Sequence, residues 1–378
     1  MTQRALPFAR LAASRAALLT ALFALACTGC SKERLTMTAD ESSHVLRMTR
    51  NPVEHCVGRH VLSLPSDFQL NADSSARIED VEVRVEPMSL AEFNRSFEIK
   101  KSRLLSMVQQ GTKLPHVRRI VQLPDGSPGG VFDRAQSNLG ADRLARTLEL
   151  LGWKNGYLIH ASIKATDTSF PEDADDSIAR QLKTDVDQRY ATLVGMYQRI
   201  RGRQETEMPG EAGLCIANGF VAGAPSDAEE VNVSYNLRGS PDLYFDFNHT
   251  TKTYEQSTML QRSGQIEEEA KASKAKTLRK GKVTLAGQSY EEWLWEMQTP
   301  DRVLGNMFTL HGNETANDPR RPYIELTLYN GYRVPAPERT AEESAKLKDL
   351  ATASLTSAEA EALWSSVSAT LRPRPGAF

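Results

Sequence analysis

At 378 residues the chain is longer than one hydrophobic core usually serves, since single cores stop growing near about 250–300 residues. Its 40% hydrophobic and 25% charged residues are ordinary globular material and exclude a disordered or fibrous chain. A formal charge of −2 with no basic run argues against nucleic acid as a partner.

In chain order, Arg4, Arg10 and Arg15 precede an apolar run over residues 16–26, and no acidic residue comes before Glu33. That is the layout of an export signal, with an apolar stretch too short to span a bilayer. The run ends in Ala24-Leu25-Ala26-Cys27-Thr28-Gly29-Cys30-Ser31, which resembles the lipobox of bacterial lipoproteins. The resemblance implies removal of residues 1–29 and acylation of Cys30, with Cys27 as the alternative and a plain soluble-periplasm signal as a third reading. Ser31 in place of aspartate implies sorting to the outer membrane. Loss of the three leader arginines moves the formal charge from −2 to −5. Residues 30–51 then read as a mobile lipidated tether, and the lipid is the expected membrane contact.

A first domain is expected over residues 52–204. It opens on a cysteine-led strand, Cys56-Val57-Gly58-Arg59 through Leu64-Pro65, followed by alternating Val81, Val83 and Val85. Ser89-Leu90-Ala91-Glu92 is a capping-box sequence. It opens a helix to about residue 110, with Leu90, Phe93, Phe97, Leu104 and Met107 inward. Strands are expected over 116–123, 130–135, 146–151 and 157–165, the last two joined by a turn at Asn155-Gly156. A closing helix has Ile178, Leu182, Val186, Tyr190, Leu193, Tyr197 and Ile200 at helical spacing, after an acidic start at residues 172–176 suited to a helix N-terminus.

Residues 205–213, with Pro209 and Gly210, read as a linker, and a second domain over 214–378 repeats the plan. Strands are expected over 230–236 and 241–247, then a polar, protruding helix over about 254–279. A hairpin over 282–298, strands over 303–310 and 323–329, and a helix over 356–371 with Thr356-Ser357-Ala358-Glu359 as its capping box complete it. Cys215-Ile216, Gly219, Phe220-Val221 and Pro225-Ser226-Asp227 repeat Cys56-Val57, Gly58, the apolar run of residues 60–64 and Pro65-Ser66-Asp67, with the cysteines 159 positions apart. Both halves read strand, strand, helix, several strands, helix: an α+β plan of two similar tandem domains with mainly antiparallel sheet.

No pattern for chemistry stands out. None of the seven histidines makes a zinc-binding spacing, and His55 and His60, an odd number of residues apart on a strand, face opposite ways. No metal or cofactor is therefore expected. Gly126-Ser127-Pro128-Gly129 lacks the spacing of a nucleophile elbow, and Glu291-Glu292 is a pair expected by chance among 48 acidic residues. Cys56 and Cys215, equivalent in the two copies of an exported chain, are either a disulfide between halves or two buried thiols.

The cysteine-led strand, its counterpart Gly213-Leu214-Cys215-Ile216 through Gly219-Phe220, and the ending Leu371-Arg372-Pro373-Arg374-Pro375-Gly376 together resemble the two-domain immunity lipoproteins of type VI secretion lipase effectors. The resemblance implies a non-enzymatic periplasmic inhibitor that binds a cognate phospholipase through both domains. No functional residue carries over by motif. If the grip lies between the domains, Glu267, Glu268 and Glu269 on the polar helix are the candidates for contact. A structural or assembly lipoprotein of the outer membrane and an unconventional hydrolase are the competing readings.

Overall fold

A computed structural model describes residues 35–110, 114–138, 144–169, 179–253, 255–335 and 349–378. The expected signal, Cys27 and Cys30 lie outside the described residues, as do the acidic stretch 172–176 and Ile178. Among the described residues no helix is long and apolar enough to cross a membrane.

The first half contains α1 (Ala39–Met48), the hairpin β1 (Pro52–Val57) and β2 (His60–Pro65), β3 (Phe68–Leu70), β4 (Ser75–Ile78) and β5 (Val81–Pro87). Helix α2 (Leu90–Leu105), the strands β6 (Val117–Gln122), β7 (Gly129–Ala135), β8 (Ala145–Lys154) and β9 (Tyr157–Thr166), α3 (Val186–Arg199) and β10 (Ile200–Gly202) follow. The second half repeats the series. Its hairpin is β11 (Gly213–Ile216) and β12 (Gly219–Ala222), followed by β13 (Glu229–Leu237), β14 (Leu243–Thr250) and α4 (Ser263–Ala270). Then come β15 (Lys276–Leu285), β16 (Gln288–Gln298), β17 (Leu304–Gly312), β18 (Tyr323–Asn330), α5 (Ser357–Ser368) and β19 (Arg372–Pro373).

The repeated series builds one sheet rather than two. Its order is β6-β7-β8-β9-β5-β4-β13-β14-β18-β17-β16-β15, and the halves join where β4 pairs antiparallel with β13, Ala76 opposite Val231. Strand β3 continues the seam, Leu70 opposite Tyr235. One apolar cluster runs from Val57 and Leu150 in the first half to Leu326, Trp364 and Leu371 in the second. Residues 35–378 form one compact unit. The expectation of a separate core per half is thus corrected, because seam strands pair across the boundary and their inward side chains enter one interior.

The closing strands are exchanged. β10 ends the first half but pairs with β12 of the second, and β19 ends the second but pairs with β2 of the first. Each arm then buries an arginine. The Arg203 amide bonds the Asn218 carbonyl, and its guanidinium donates to the carbonyls of Cys56, Gly219, Gln204 and Glu205. The Arg374 amide bonds the Arg59 carbonyl, and its guanidinium donates to the carbonyls of Pro209, Glu211 and Gly213. Six main-chain acceptors in residues 204–213 are held by these two cations, so the stretch expected to be a linker is clamped. Gly202 is needed in the arm, since a Cβ there would stand 2.1 Å from the Tyr157 ring.

Three expected elements are corrected. The tether is helical over Ala39–Met48, with Thr38 and Glu41 forming a capping box. That box locks onto the second one: Thr356 Oγ1 donates to Glu41 (2.7 Å), and His44 Nδ1 meets Glu359 (2.7 Å). The polar helix stops at Ala270 and a short 3-10 turn, because Lys274 takes a left-handed conformation (φ 52°). Residues 276–285 instead pair along β16, where Leu278, Val283 and Leu285 reach the core. Finally α3 starts at Val186, leaving Leu182 44% exposed, and Leu90 of α2 is 40% exposed; neither points inward.

Candidate functional site

The two hairpins meet at the joint between halves. Gly58 and Cys215 exchange backbone hydrogen bonds of 2.9 and 2.7 Å, and Cys56 and Cys215 form a disulfide within a small buried cluster containing Phe220. Beside it Arg59 donates to both carboxylate oxygens of Glu229 (Nε 3.0 Å, Nη2 2.6 Å), with both side chains 1% exposed. The same guanidinium donates to the carbonyls of Gly223 and Ala377. His249 Nε2 lies 3.2 Å from Glu229. Burial works to raise the Glu229 carboxyl, but hydrogen bonds from His249 and Arg59 outweigh it and hold it at about 2. Burial, with His249 as a neighbour, pushes His60 down to about 3, and it lowers His249 as well. These rings are neutral packing groups. Gly58 sits against His249, where a Cβ would come within 2.9 Å of the ring.

On the opposite face the sheet is covered at its ends and open in the middle. Helix α2 covers β6 to β8 through Phe93, Phe97, Leu104, Phe132 and Leu151. The segment of α4 covers β16 and β17 through Met259, Ile266, Trp293, Trp295 and Met307. Between them the strands alternate apolar inward and polar outward. Val81, Val83 and Val85, then Ile159, Ala161 and Ile163, then Phe245 and Phe247, then Ile324 and Leu326 are all buried. Their outward neighbours line an open trough of about 810 Å3: Arg77, Glu82, Arg84, His160 and Ser162 from the first half, with Glu230, Asn232, Asn248, Tyr323 and Glu325 from the second. A smaller recess of about 350 Å3 shares Arg77, Glu82 and Ser162 with the trough and adds Arg134, Lys164 and Arg189.

On the same face Asp246 is pushed up to about 6 by burial, with the Glu325 and Asp73 carboxylates adding repulsion. A chain of bonds runs from Thr309 to His311 (3.1 Å), Tyr323 (3.3 Å) and Glu325 (3.3 Å), with Glu314 3.6 Å from His311. Thr309 is buried and shares its hydroxyl with Thr327, so this chain packs the trough wall. Among the described residues no group of three or more His, Cys, Asp or Glu is placed to hold a metal ion.

The residues singled out in the sequence fall in different places. Glu267, Glu268 and Glu269 lie on exposed α4, where Glu267 pairs with Lys280 (2.7 Å), Glu268 with Lys271, and Glu269 accepts from Gln265 (2.9 Å). None of the three lines the trough. Glu291 accepts from Thr258 and from the Leu260 amide, while Glu292 accepts from Arg279 and Trp364. That pair is therefore split between two environments. His55 packs against Tyr235 with the rings tilted by 55°, and His60 lies against Phe247 and His249. The trough residues were missed because alternating charged positions on a strand look like any solvated sheet face; the signal was that the equivalent strands of both halves carry them.

A repeated α+β half, a shared sheet and an open recess across the seam define a two-domain α+β protein with a surface to which both halves contribute. The chain belongs to the Tle cognate immunity protein 4 family, with residues 54–203 matching its N-terminal domain and residues 207–376 its C-terminal domain. Its fold is similar to one in a crystal structure of a Tle4–Tli4 complex (TM-score 0.64, 17% identity, 86% of this chain and 99% of that one). It is similar also to the apo structure of the type VI secretion immunity protein TplEi from Pseudomonas aeruginosa (TM-score 0.62, 17% identity, 86% of this chain and 97% of that one). A third likeness is to TplEi complexed with a peptide designated "L" (TM-score 0.56, 18% identity, 86% of this chain and 98% of that one). No curated protein sequence matches the chain.

Proposed function

We propose that this protein protects its cell from a phospholipase effector delivered by type VI secretion, by binding the effector in the periplasm without chemistry of its own. The match of both halves to one immunity family carries this reading. The Tle4–Tli4 complex shows a protein of this fold with a cognate partner, and the trough offers a surface to which both halves contribute. Export is supported by the arginine-led apolar leader and by a disulfide, which persists in an oxidising compartment. Anchoring is proposed through acylation of Cys30, with Cys27 as the alternative, at the outer membrane. An anchor would raise the inhibitor's concentration near the lipid its target attacks.

The test is survival of cells carrying a Tle-type lipase effector fused to an export signal. The full chain is expected to protect, and a chain starting at residue 31, kept in the cytoplasm, is expected to fail. Equal protection by both would contradict action in the periplasm. Cys30→Ser and Cys27→Ser, followed by metabolic labelling with palmitate, identify the anchor; label retained in both variants would remove that part.

A further inference from the structure

The strands flooring the trough are equivalent in the two halves, but their outward charges are not. Arg84 on β5 and Lys164 on β9 are exposed, and among the described residues neither has an ion-pair partner. They adjoin Arg77, Arg134 and Arg189, each of which is already paired: Arg77 with Glu82 (3.3 Å), Arg134 with Glu149 (2.7 Å), and Arg189 with Asp80 and Asp185 (3.1 and 3.0 Å). Glu86, exposed on β5, is the nearby acid with no ion-pair partner among the described residues. In the second half the matching strands β14 and β18 carry Asp246 and Glu325. Glu325 is met only by neutral hydroxyls of Tyr323 and Thr327, and Asp246 has no cation among the described residues. Lys252, on the same rim, has an interaction of its own.

The two sets cannot neutralise each other. Strands β5 and β14 are separated by β4 and β13, which at about 4.8 Å per strand places them roughly 14 Å apart, with β9 and β18 roughly 24 Å apart. Both spans exceed the screening length of about 8 Å at physiological salt. This face thus carries unpaired cations, Arg84 and Lys164, toward one end and unpaired acids, Asp246 and Glu325, toward the other.

We propose that the trough and the recess beside it select an effector segment of matching polarity, with acidic side chains over Arg84 in the trough and Lys164 in the recess, and a basic side chain against Glu325 in the trough and Asp246 beside it on the same face. This rests on the reading of the protein as an effector inhibitor and adds which way round the partner sits. A segment crossing from β9 to β18 needs about seven extended residues to span roughly 24 Å. A partner cation beside Asp246 also relieves a half-buried carboxylate that has none of its own. The charges steer encounter and fix orientation, so their loss should fall mainly on the association rate.

The experiment uses the chain from residue 31 onward and a purified lipase effector of the Tle type, with association and dissociation rates followed at low and high salt. Arg84→Glu with Lys164→Glu, and separately Glu325→Lys, replace side chains at the trough surface, and thermal melts check that each folds. Lys282→Glu, a comparable change on the edge strand β15, is the control. Each trough variant is expected to lose about tenfold or more in affinity at low salt, mostly in association rate, with a flatter salt dependence. The control is expected to match the parent. Folded trough variants that bind within about twofold of a binding parent would overturn the proposal while leaving the inhibitor reading intact; a parent that does not bind would remove both. Phosphatidylglycerol vesicles are the last arm: binding lost in the Arg84/Lys164 variant while lipase binding is unchanged would make the basic end a lipid site and overturn the proposal.

Discussion

Replacing Arg59 by methionine tests whether the joint between halves rests on its buried ion pair. The substitution keeps most of the side-chain volume but removes the donors to Glu229, Gly223 and Ala377. Glu229 keeps His249 and the Ser226 amide, so it remains buried and charged without its strongest partner. Breaking such a pair from one side costs about 3–5 kcal/mol, or roughly 2 °C in Tm per kcal/mol in a domain of this size. Glu229→Gln strands the opposite charge and should cost a similar amount. The double variant should lose less than the sum of the two, with a coupling of about 2–3 kcal/mol, measured by urea unfolding at pH 7.5. The pH dependence gives a second check. A carboxyl held at about 2 when folded and near 4.5 when unfolded contributes stability above pH 4.5 that is lost as pH falls toward 2. That loss should be smaller in Arg59→Met. Coupling below about 0.5 kcal/mol, with parent-like pH behaviour, would refute the reasoning.

Other outcomes follow from the same interior. Replacing both Cys56 and Cys215 by serine opens a 159-residue loop and should cost about 2–5 kcal/mol; urea midpoints equal to those of the parent would show that the other joint contacts suffice. His60, neutral when folded and held at about 3 against an ordinary 6.5, adds stability that is lost as pH falls from 6.5 toward 3. His60→Asn should flatten thermal stability across that window. Asp246 runs the other way. Its folded value of about 6 against 3.8 means that ionisation destabilises the fold as pH rises through that range, so Asp246→Asn should stabilise by up to about 3 kcal/mol at pH 7.5 and by nothing below pH 3.8. A melt that is unchanged at pH 7.5 would contradict the burial argument.

Local signals were legible where the physics is local. Ser89 caps α2 through the Glu92 amide and Thr356 caps α5, and period-two alternation marked β5. The repeat of a cysteine-led strand marked two halves of one plan. The same kind of signal, Thr38 with Glu41, stood before α1 and was passed over inside a segment read as a tether. Lysine and alanine in residues 270–280 suggested helix by propensity, but nine residue pairs along β16 prevailed. The exchange of β10 and β19 was not legible, since these strands have three and two residues, and β19 is specified by a partner more than 300 positions away while β10 pairs about 20 positions on. The trough was hidden for a related reason. Its members come from six strands, and only the sheet order shows that Arg84 and Glu325 share one face.

The joint sets the two walls of the trough relative to each other. Disulfide, Arg59–Glu229 pair and exchanged arms all cross between halves. On the proposed reading the effector surface is thus built before a partner arrives, which spares binding the ordering cost of two loose domains.

The most direct measurement is a titration of a cognate lipase effector of the Tle type with the chain from residue 31 onward, reading hydrolysis of phospholipid vesicles and complex mass together. The account predicts an equimolar complex and loss of hydrolysis at equivalence, with no lipid turnover by the protein alone. An active lipase that keeps hydrolysing in the presence of excess folded protein would contradict it.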